Sequence, residues 1–267
     1  MTIRGWAVVT GASSGIGCAF AKELARRGHP VLAVARRRER LEELAREAVG
    51  FHGGVEPLVA DLATEQGIAL SVRRLAELGE IELLVNNAGV ANASDFVEAS
   101  LDKELGAVRL NVEAVVRLTH EVLRRMLRSR RGAIINLASV VGFQPFPHFA
   151  VYAASKAFVL SFTEALAEEV KGTGVRVLAL CPGSVATEID VFAHNEGLLG
   201  KLPSLTAEQV VKAGLGALDH GRVVKVVGAF NQFLPFMDRL MPRSIVRWLM
   251  GVSVKPTRTL RAHNVAP

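Results

Sequence analysis

Ala7-Val8-Val9-Thr10-Gly11-Ala12-Ser13-Ser14-Gly15-Ile16-Gly17 is the stretch that decides the fold. A short apolar run of strand type gives way to a glycine-rich turn, and helical periodicity follows from Ile16 to Arg27. Glycine accepts the backbone angles of a tight turn and lets a ligand come close to the main chain. The unpaired N–H groups that open the following helix attract phosphate. With a strand before it and a helix after it, the turn has the context of a dinucleotide site, which makes Gly11, Ser13, Ser14, Gly15, Ile16 and Gly17 candidate cofactor ligands.

The same unit recurs along the chain. Strands are predicted at Ala7–Thr10, Val31–Ala35, Val55–Ala60, Ile81–Asn86, Ala133–Ala138, Val175–Leu180 and Val223–Val227. Helical stretches lie between them at Arg38–Ala48, Leu101–Arg128, Tyr152–Val170 and Thr206–Leu218, the last opening on a Thr206-Ala207-Glu208-Gln209 capping box. Alternation of this kind predicts an α/β chain: a doubly wound, Rossmann-type parallel sheet of about seven strands with helices on both faces, in a single domain. Residues 1–228 form the expected cofactor-binding and catalytic body, and residues 229–267 an amphipathic basic extension of it.

Composition narrows the function classes. With 50% hydrophobic and 22% charged residues the chain is globular, and no uncharged apolar run reaches the roughly 18 residues that span a bilayer. Trp6-Ala7-Val8-Val9 is too short for a signal-peptide core, so a cytoplasmic location is expected. Cys18 and Cys181 have no metal-ligand spacing and sit among small or apolar neighbours, so both are expected to be buried structural thiols. The net charge of +6 comes from one end: Arg239, Arg243, Arg247, Lys255, Arg258 and Arg261 face no acidic residue, while the other 26 basic residues equal the 26 acidic ones. A body without excess charge argues against a broad nucleic-acid face.

Ligands of such sheets gather beyond the carboxyl ends of the strands. The second strand ends in Ala35-Arg36-Arg37, where an acidic residue would accept from a free ribose 2′-hydroxyl. A guanidinium pairs instead with a 2′-phosphate, so NADPH/NADP+ is the expected cofactor over NADH, with Arg36 first and Arg37 sharing. Tyr152-Ala153-Ala154-Ser155-Lys156 puts phenol and ammonium on one helix face. The cation favours phenolate and tunes Tyr152, the sole tyrosine of the chain, for proton transfer. Ser139, after the fifth strand, is placed to donate to an oxygen gaining charge, and Asn111 to hold a water linking Lys156 to solvent.

In these motifs the chain resembles the single-domain branch of the short-chain dehydrogenase/reductase superfamily over nearly its whole length. Thr10–Gly17 is similar to that family's cofactor turn, and Asn111, Ser139, Tyr152 and Lys156 fall where its catalytic tetrad belongs. The resemblance implies that Asp61 and Leu62 lie at the adenine and that Asn86-Asn87-Ala88-Gly89 steadies the central strand beside the cofactor. It also implies that Pro182, Gly183, Val185 and Thr187 lie along the nicotinamide, and that Lys156 bonds its ribose. The reaction implied is hydride transfer between a nicotinamide cofactor and a carbonyl or alcohol.

Substrate recognition rests on loops. Val140, Val141, Phe143, Phe146 and Phe149, with Phe192, Leu198 and Leu199 in a lid between Thr187 and Leu205, make mostly apolar walls suited to a hydrophobic ketone, aldehyde or secondary alcohol. Scattered His148 and His194 show no metal spacing and are expected to be structural or solvated, with substrate contact as the other reading. Arg124-Arg125-Met126-Leu127-Arg128-Ser129-Arg130-Arg131 leaves a 3-oxoacyl-thioester reductase open, its basic run receiving an acidic carrier. An NADPH-binding sensor or scaffold is the non-enzymatic alternative. Phe230, Phe233, Leu234, Met237, Leu240, Met241, Trp248 and Leu249 recur at roughly helical spacing among arginines, broken by Pro235 and Pro242. This tail reads as a lid or a subunit contact, with membrane-surface attachment as the rival, in a chain expected to form a homodimer or homotetramer.

Overall fold

The computed structural model describes residues 5–188, 204–228, 231 and 241–254. Its sheet runs through β1 (Trp6–Thr10), β2 (Val31–Ala35), β3 (Val55–Val59), β4 (Ile81–Asn86), β5 (Gly132–Leu137), β6 (Val175–Pro182) and β7 (Val224–Val227). The spatial order is β3-β2-β1-β4-β5-β6-β7, and every neighbouring pair is parallel. This is the seven-stranded Rossmann-type sheet that the alternation predicts, with strand ends within two residues of those read from the pattern.

The helices are α1 (Gly15–Arg26), α2 (Arg38–Glu47), α3 (Glu65–Glu77), α4 (Leu101–Val108), α5 (Ala114–Ser129), α6 (Ala150–Glu169), α7 (Ala207–Asp219) and α8 (Arg243–Ser253). Side-chain alternation along each strand feeds two cores. Ala7 and Val9 meet Phe20 and Leu24 of α1, Leu41 of α2 and Val210 of α7 on one face, whereas Val8 meets Ile68 of α3, Leu118 and Val122 of α5 and Leu166 of α6 on the other. Strand β2, Val-Leu-Ala-Val-Ala, is buried on both faces, as continuous apolar strands of covered parallel sheets are. Helix α7 carries the expected box: Thr206 accepts from the Gln209 amide at 3.2 Å and Gln209 Oε1 from the Thr206 amide at 2.9 Å.

Two elements depart from the pattern reading. Leu101–Arg128 is not one α-helix, because a π-turn at Arg109–Glu113 separates α4 from α5. Nor does the reading single out α3, whose start is marked by Thr64 accepting from the Gly67 amide at 3.0 Å. The end of α3 is held from outside. Arg125 of α5 donates to the carbonyl oxygens of Leu75, Leu78 (2.6 Å) and Gly79 (2.6 Å), placing a cation on the carbonyls at a helix C-terminus. Arg131 pairs with Glu82 and Glu80. Two members of the basic run are thus occupied inside the fold.

We expect Arg125→Ala to lower stability by about 1–2 kcal/mol, the cost of carbonyls deprived of a charged donor, seen as a lower urea midpoint with unchanged slope.

Candidate functional site

The sheet order reverses between β1 and β4, and the carboxyl ends of the strands leave a cleft of about 660 Å³ there. Its floor at one end is the glycine turn. Gly11 and Gly15 adopt φ values of +66° and +53°, accessible to glycine without strain. A methyl group at Gly17 would lie 2.3 Å from the Gly11 oxygen, so this glycine acts by letting α1 close on the turn and does not itself line the cleft. Ser14 occupies the N-cap position of α1, yet its hydroxyl makes no capping bond. It turns instead to Arg37 and Glu188, which leaves the first amides of α1 facing a ligand.

Asn87 ties the turn to β4. Its side-chain amide donates to the Thr10 oxygen at 2.9 Å and to the Gly11 oxygen at 3.3 Å, while the Asn87 and Ala88 amides donate to Thr10 Oγ1 at 3.0 and 2.9 Å. Below it, Asn86 donates to Thr119 and Asn136, and Asn136 donates to Thr163, forming a buried polar ladder between the sheet and α5 and α6. Residues of such a ladder lie far apart in sequence, and no local pattern marks Asn136, Thr119 or Thr163.

At the far end, Ser139, Tyr152 and Lys156 line the same cleft as the turn. Gly142 lets the segment after β5 lie against α6, since a methyl there would come within 2.8 Å of the Lys156 carbonyl. Ser139 Oγ is near the Pro182 oxygen at 3.5 Å and accepts from the Val141 amide at 3.3 Å. Lys156 Nζ donates to the Leu137 oxygen at 2.6 Å and stands 5.7 Å from the centre of the Tyr152 ring. Asn111 sits in the π-turn, a helical irregularity frequent at functional sites. Its side chain spans the Val90 amide and carbonyl at 3.0 and 2.9 Å and donates to Ser155 Oγ at 3.0 Å. Gly89 lies between Asn111 and Lys156: a methyl on it would stand 3.3 Å from Asn111 Oδ1 and 3.6 Å from Lys156 Nζ.

The remaining expected cofactor residues fall around this cleft. Asp61 and Leu62 line it, the Asp61 carboxylate accepting from the Ala63 amide at 2.9 Å. Pro182, Gly183, Val185 and Thr187 also line it, as do Ala88 and Gly89. Arg36 stands exposed at the rim, whereas Arg37 is drawn inward to Ser13, Ser14 and Glu188. Sequence order gives no hint of that last contact, which spans 151 positions.

The expected substrate walls are less accessible. Val141, Phe146 and Phe149 are packed with Val246, Met250 and Val254 behind Tyr152, and Phe143 packs in another cluster with Val159 and Leu160. None of the four lines the cleft. Phe192, His194, Leu198 and Leu199 lie outside the described residues, as do Phe230, Phe233, Leu234, Pro235, Met237 and Leu240 of the tail. His148, at φ +66°, pairs through Nδ1 with Asp95 at 2.5 Å. Cys181 is fully buried and Cys18 half-buried, and burial pushes the Cys181 thiol up to about 12. Among the described residues no cluster suits a metal ion, and no helix is long and apolar enough to cross a membrane.

The short chain dehydrogenase family model matches residues 5–196. The chain is 34% identical to the very-long-chain 3-oxoacyl-CoA reductase of Anas platyrhynchos, over 96% of this chain and 81% of the relative. Among solved structures it resembles a short-chain dehydrogenase from Sphingobium yanoikuyae in complex with NADPH, at 32% identity and TM-score 0.78, covering 95% of this chain and 98% of that one. It also resembles the bulky-bulky ketone specific alcohol dehydrogenase from Comamonas testosteroni, at 30% identity and TM-score 0.77, covering 94% and 95%.

Burial disfavours the Lys156 ammonium and lowers its pKa from 10.5 to about 8. Between these values the unfolded chain binds more protons than the native one, so this group makes stability rise with pH from about 8 towards 10.5; below 8 its burial penalty is present in full. Lys156→Met should therefore raise the urea midpoint of the cofactor-free protein at pH 7, with the advantage shrinking by about pH 10; an advantage that grows with pH would contradict this origin.

Proposed function

Because this chain belongs to the short-chain dehydrogenase/reductase family and is an oxidoreductase acting on CH–OH donors, we propose that it interconverts a hydrophobic ketone or aldehyde and its alcohol with NADPH, using Tyr152 as general acid and base. The observation that carries the proposal is the meeting of Ser139, Tyr152 and a buried Lys156 in one cleft with an uncapped helix N-terminus.

The residues present fit a dinucleotide. The Thr10–Gly17 turn would hold the pyrophosphate, Asp61 and Leu62 the adenine, and Val185 and Thr187 the nicotinamide, with Lys156 on its ribose. Bound NADPH supplies the hydride. Tyr152 gives its proton to the carbonyl oxygen as charge gathers there, and the Ser139 hydroxyl donates to the same oxygen. The Lys156 ammonium favours the phenolate left behind, and a water held beside Asn111 returns the proton. With its side chain locked by Val90 and Ser155, Asn111 gives that water a fixed anchor. A metal has no part in this scheme.

Preference for NADPH is supported by two arginines and no carboxylate at the end of β2, where Arg36 is free to meet a 2′-phosphate. Val141 and Phe149 would shape the apolar substrate side from behind Tyr152, and Phe143 from the neighbouring cluster with Val159 and Leu160. The likeness to a 3-oxoacyl-CoA reductase favours a thioester ketone as the second substrate reading. Arg125 and Arg131 contribute little to it, being engaged within the fold, which leaves Arg124, Arg128 and Arg130 as the exposed part of the basic run.

The C-terminal helix supports both readings of the tail. Its inner face, Val246 and Met250, closes the cluster around Phe149 and Tyr152, as a wall of the substrate site would. Its outer face exposes Ile245, Trp248 and Val252 beside the exposed Arg243 and Arg247, suited to an anionic lipid surface. Exposed Phe96, Val97, Leu101 and Leu105 favour self-association into a homodimer or homotetramer, in the cytoplasm on this reading.

Tyr152→Phe should retain NADPH binding while turnover of the best substrate, found in a panel of ketones, aldehydes and acyl thioesters followed by NADPH absorbance, falls about 10²- to 10⁴-fold. Near-normal turnover would remove Tyr152 from the mechanism. Arg36→Asp should weaken NADPH binding by one to two decades, about 1.5 to 3 kcal/mol, and improve relative use of NADH; equal affinity of the unaltered protein for both cofactors would refute the assignment. In flotation assays, recovery with anionic but not neutral vesicles, lost in Trp248→Glu, is the expected sign of lipid contact.

A further inference from the structure

Arg37 is fixed from two sides. One edge of its guanidinium is held by the glycine turn: Nε and Nη2 donate to Ser13 Oγ at 3.1 and 3.0 Å, and Nη2 donates to Ser14 Oγ at 2.7 Å. The other edge, Nη1, donates to both carboxylate oxygens of Glu188 at 3.0 and 2.8 Å. The Ser14 hydroxyl adds a bond to Glu188 Oε2 at 3.2 Å. A carboxylate therefore rests on a guanidinium and a hydroxyl at the lip of the phosphate turn, beside the exposed Arg36. That donor set recognises a tetrahedral oxyanion as readily as a carboxylate.

We propose that Glu188 is a built-in competitor for the cofactor's 2′-phosphate, occupying the anion seat formed by Arg37 and Ser14 and thereby setting how strongly the site separates phosphorylated from unphosphorylated adenosine. The inference rests on the NADPH reading above. Glu188 is the residue after Thr187, whose methyl lies where a Cβ on Gly15 would come within 2.9 Å, so the wall that ends in Glu188 is anchored on the turn itself. The ion pair is a displaceable one: the Arg37 and Glu188 side chains are 37% and 55% exposed, and pairs so open to water are weak. A phosphate brings more charge to the same donors than the carboxylate it replaces. Because Ser13 and Ser14 hold Arg37 independently of Glu188, removing the carboxylate leaves the cation in place with Nη1 free.

The test uses the full chain and no turnover: calorimetric titration with adenosine 2′,5′-bisphosphate and with 5′-AMP, for the unaltered protein, Glu188→Gln and Glu188→Ala. Both variants should bind the bisphosphate about 3- to 10-fold more tightly and 5′-AMP within about twofold of the unaltered protein, in line with loss of one exposed competing charge. No gain for the bisphosphate, or an equal gain for both probes, overturns the proposal. The cofactor reading is judged separately, by the unaltered protein. If it binds both probes equally yet the variants acquire a preference for the bisphosphate, the competitor stands and the NADPH assignment falls; if neither protein nor variants discriminate, both fall.

Discussion

The hydroxyl of Thr10, almost wholly buried, is the hinge on which the site depends. At the end of β1 it accepts from two consecutive amides of the segment after β4 and faces the Val85 oxygen at 3.4 Å. The two central strands must separate here for a cleft to exist, and separating parallel strands leaves amides without ladder partners. The Thr10 hydroxyl accepts from the Asn87 and Ala88 amides and the Asn87 side-chain amide donates to the Thr10 and Gly11 carbonyl oxygens, so these main-chain groups stay paired where the crevice opens. Everything that faces a ligand, from the glycine turn to Gly89, is aimed from this stitched fork.

A second constraint is the buried charge on Lys156. An ammonium at 5% exposure, donating to the Leu137 carbonyl, is costly, and the lowered pKa expresses that cost. The fold tolerates it through rigidity around it: the Asn86–Asn136–Thr163 ladder locks β4 and β5 to α6, and Gly142 lets the post-β5 segment press on the Lys156 main chain. On the proposed mechanism, a lysine held this way in the cleft is the group that answers a change of protonation on Tyr152.

The C-terminal helix extends the same logic to the substrate side. By covering Phe146, Phe149 and the back of Tyr152 with Val246 and Met250, it turns residues that would otherwise be exposed walls into core. The packing behind Tyr152 is thereby determined jointly by the segment after β5 and by an element from the far end of the chain.

Sequence alone determined the layered fold, because strand and helix periodicities are local and the burial of β2 or of Val8 against Val9 follows directly from them. It also determined the glycine turn and the shared face of Tyr152 and Lys156, since turn chemistry and helical spacing are local, whereas Ser139 reaches the same cleft through the packing of the post-β5 segment on α6. The π-turn under Asn111 was not legible, because a five-residue register change leaves the apolar pattern of Leu101–Arg128 nearly intact. Nor were the Arg125 cap, the Asn136 ladder or the burial of Val141 and Phe149. Arg36 and Arg37 read alike as neighbouring cations, and only the tertiary structure separated them, leaving one at the rim and binding the other to Ser13, Ser14 and Glu188. The physical reason is common to all of these: hydrogen-bond partners and exposure are set by which distant segments meet, and strand order, not strand content, decides that meeting.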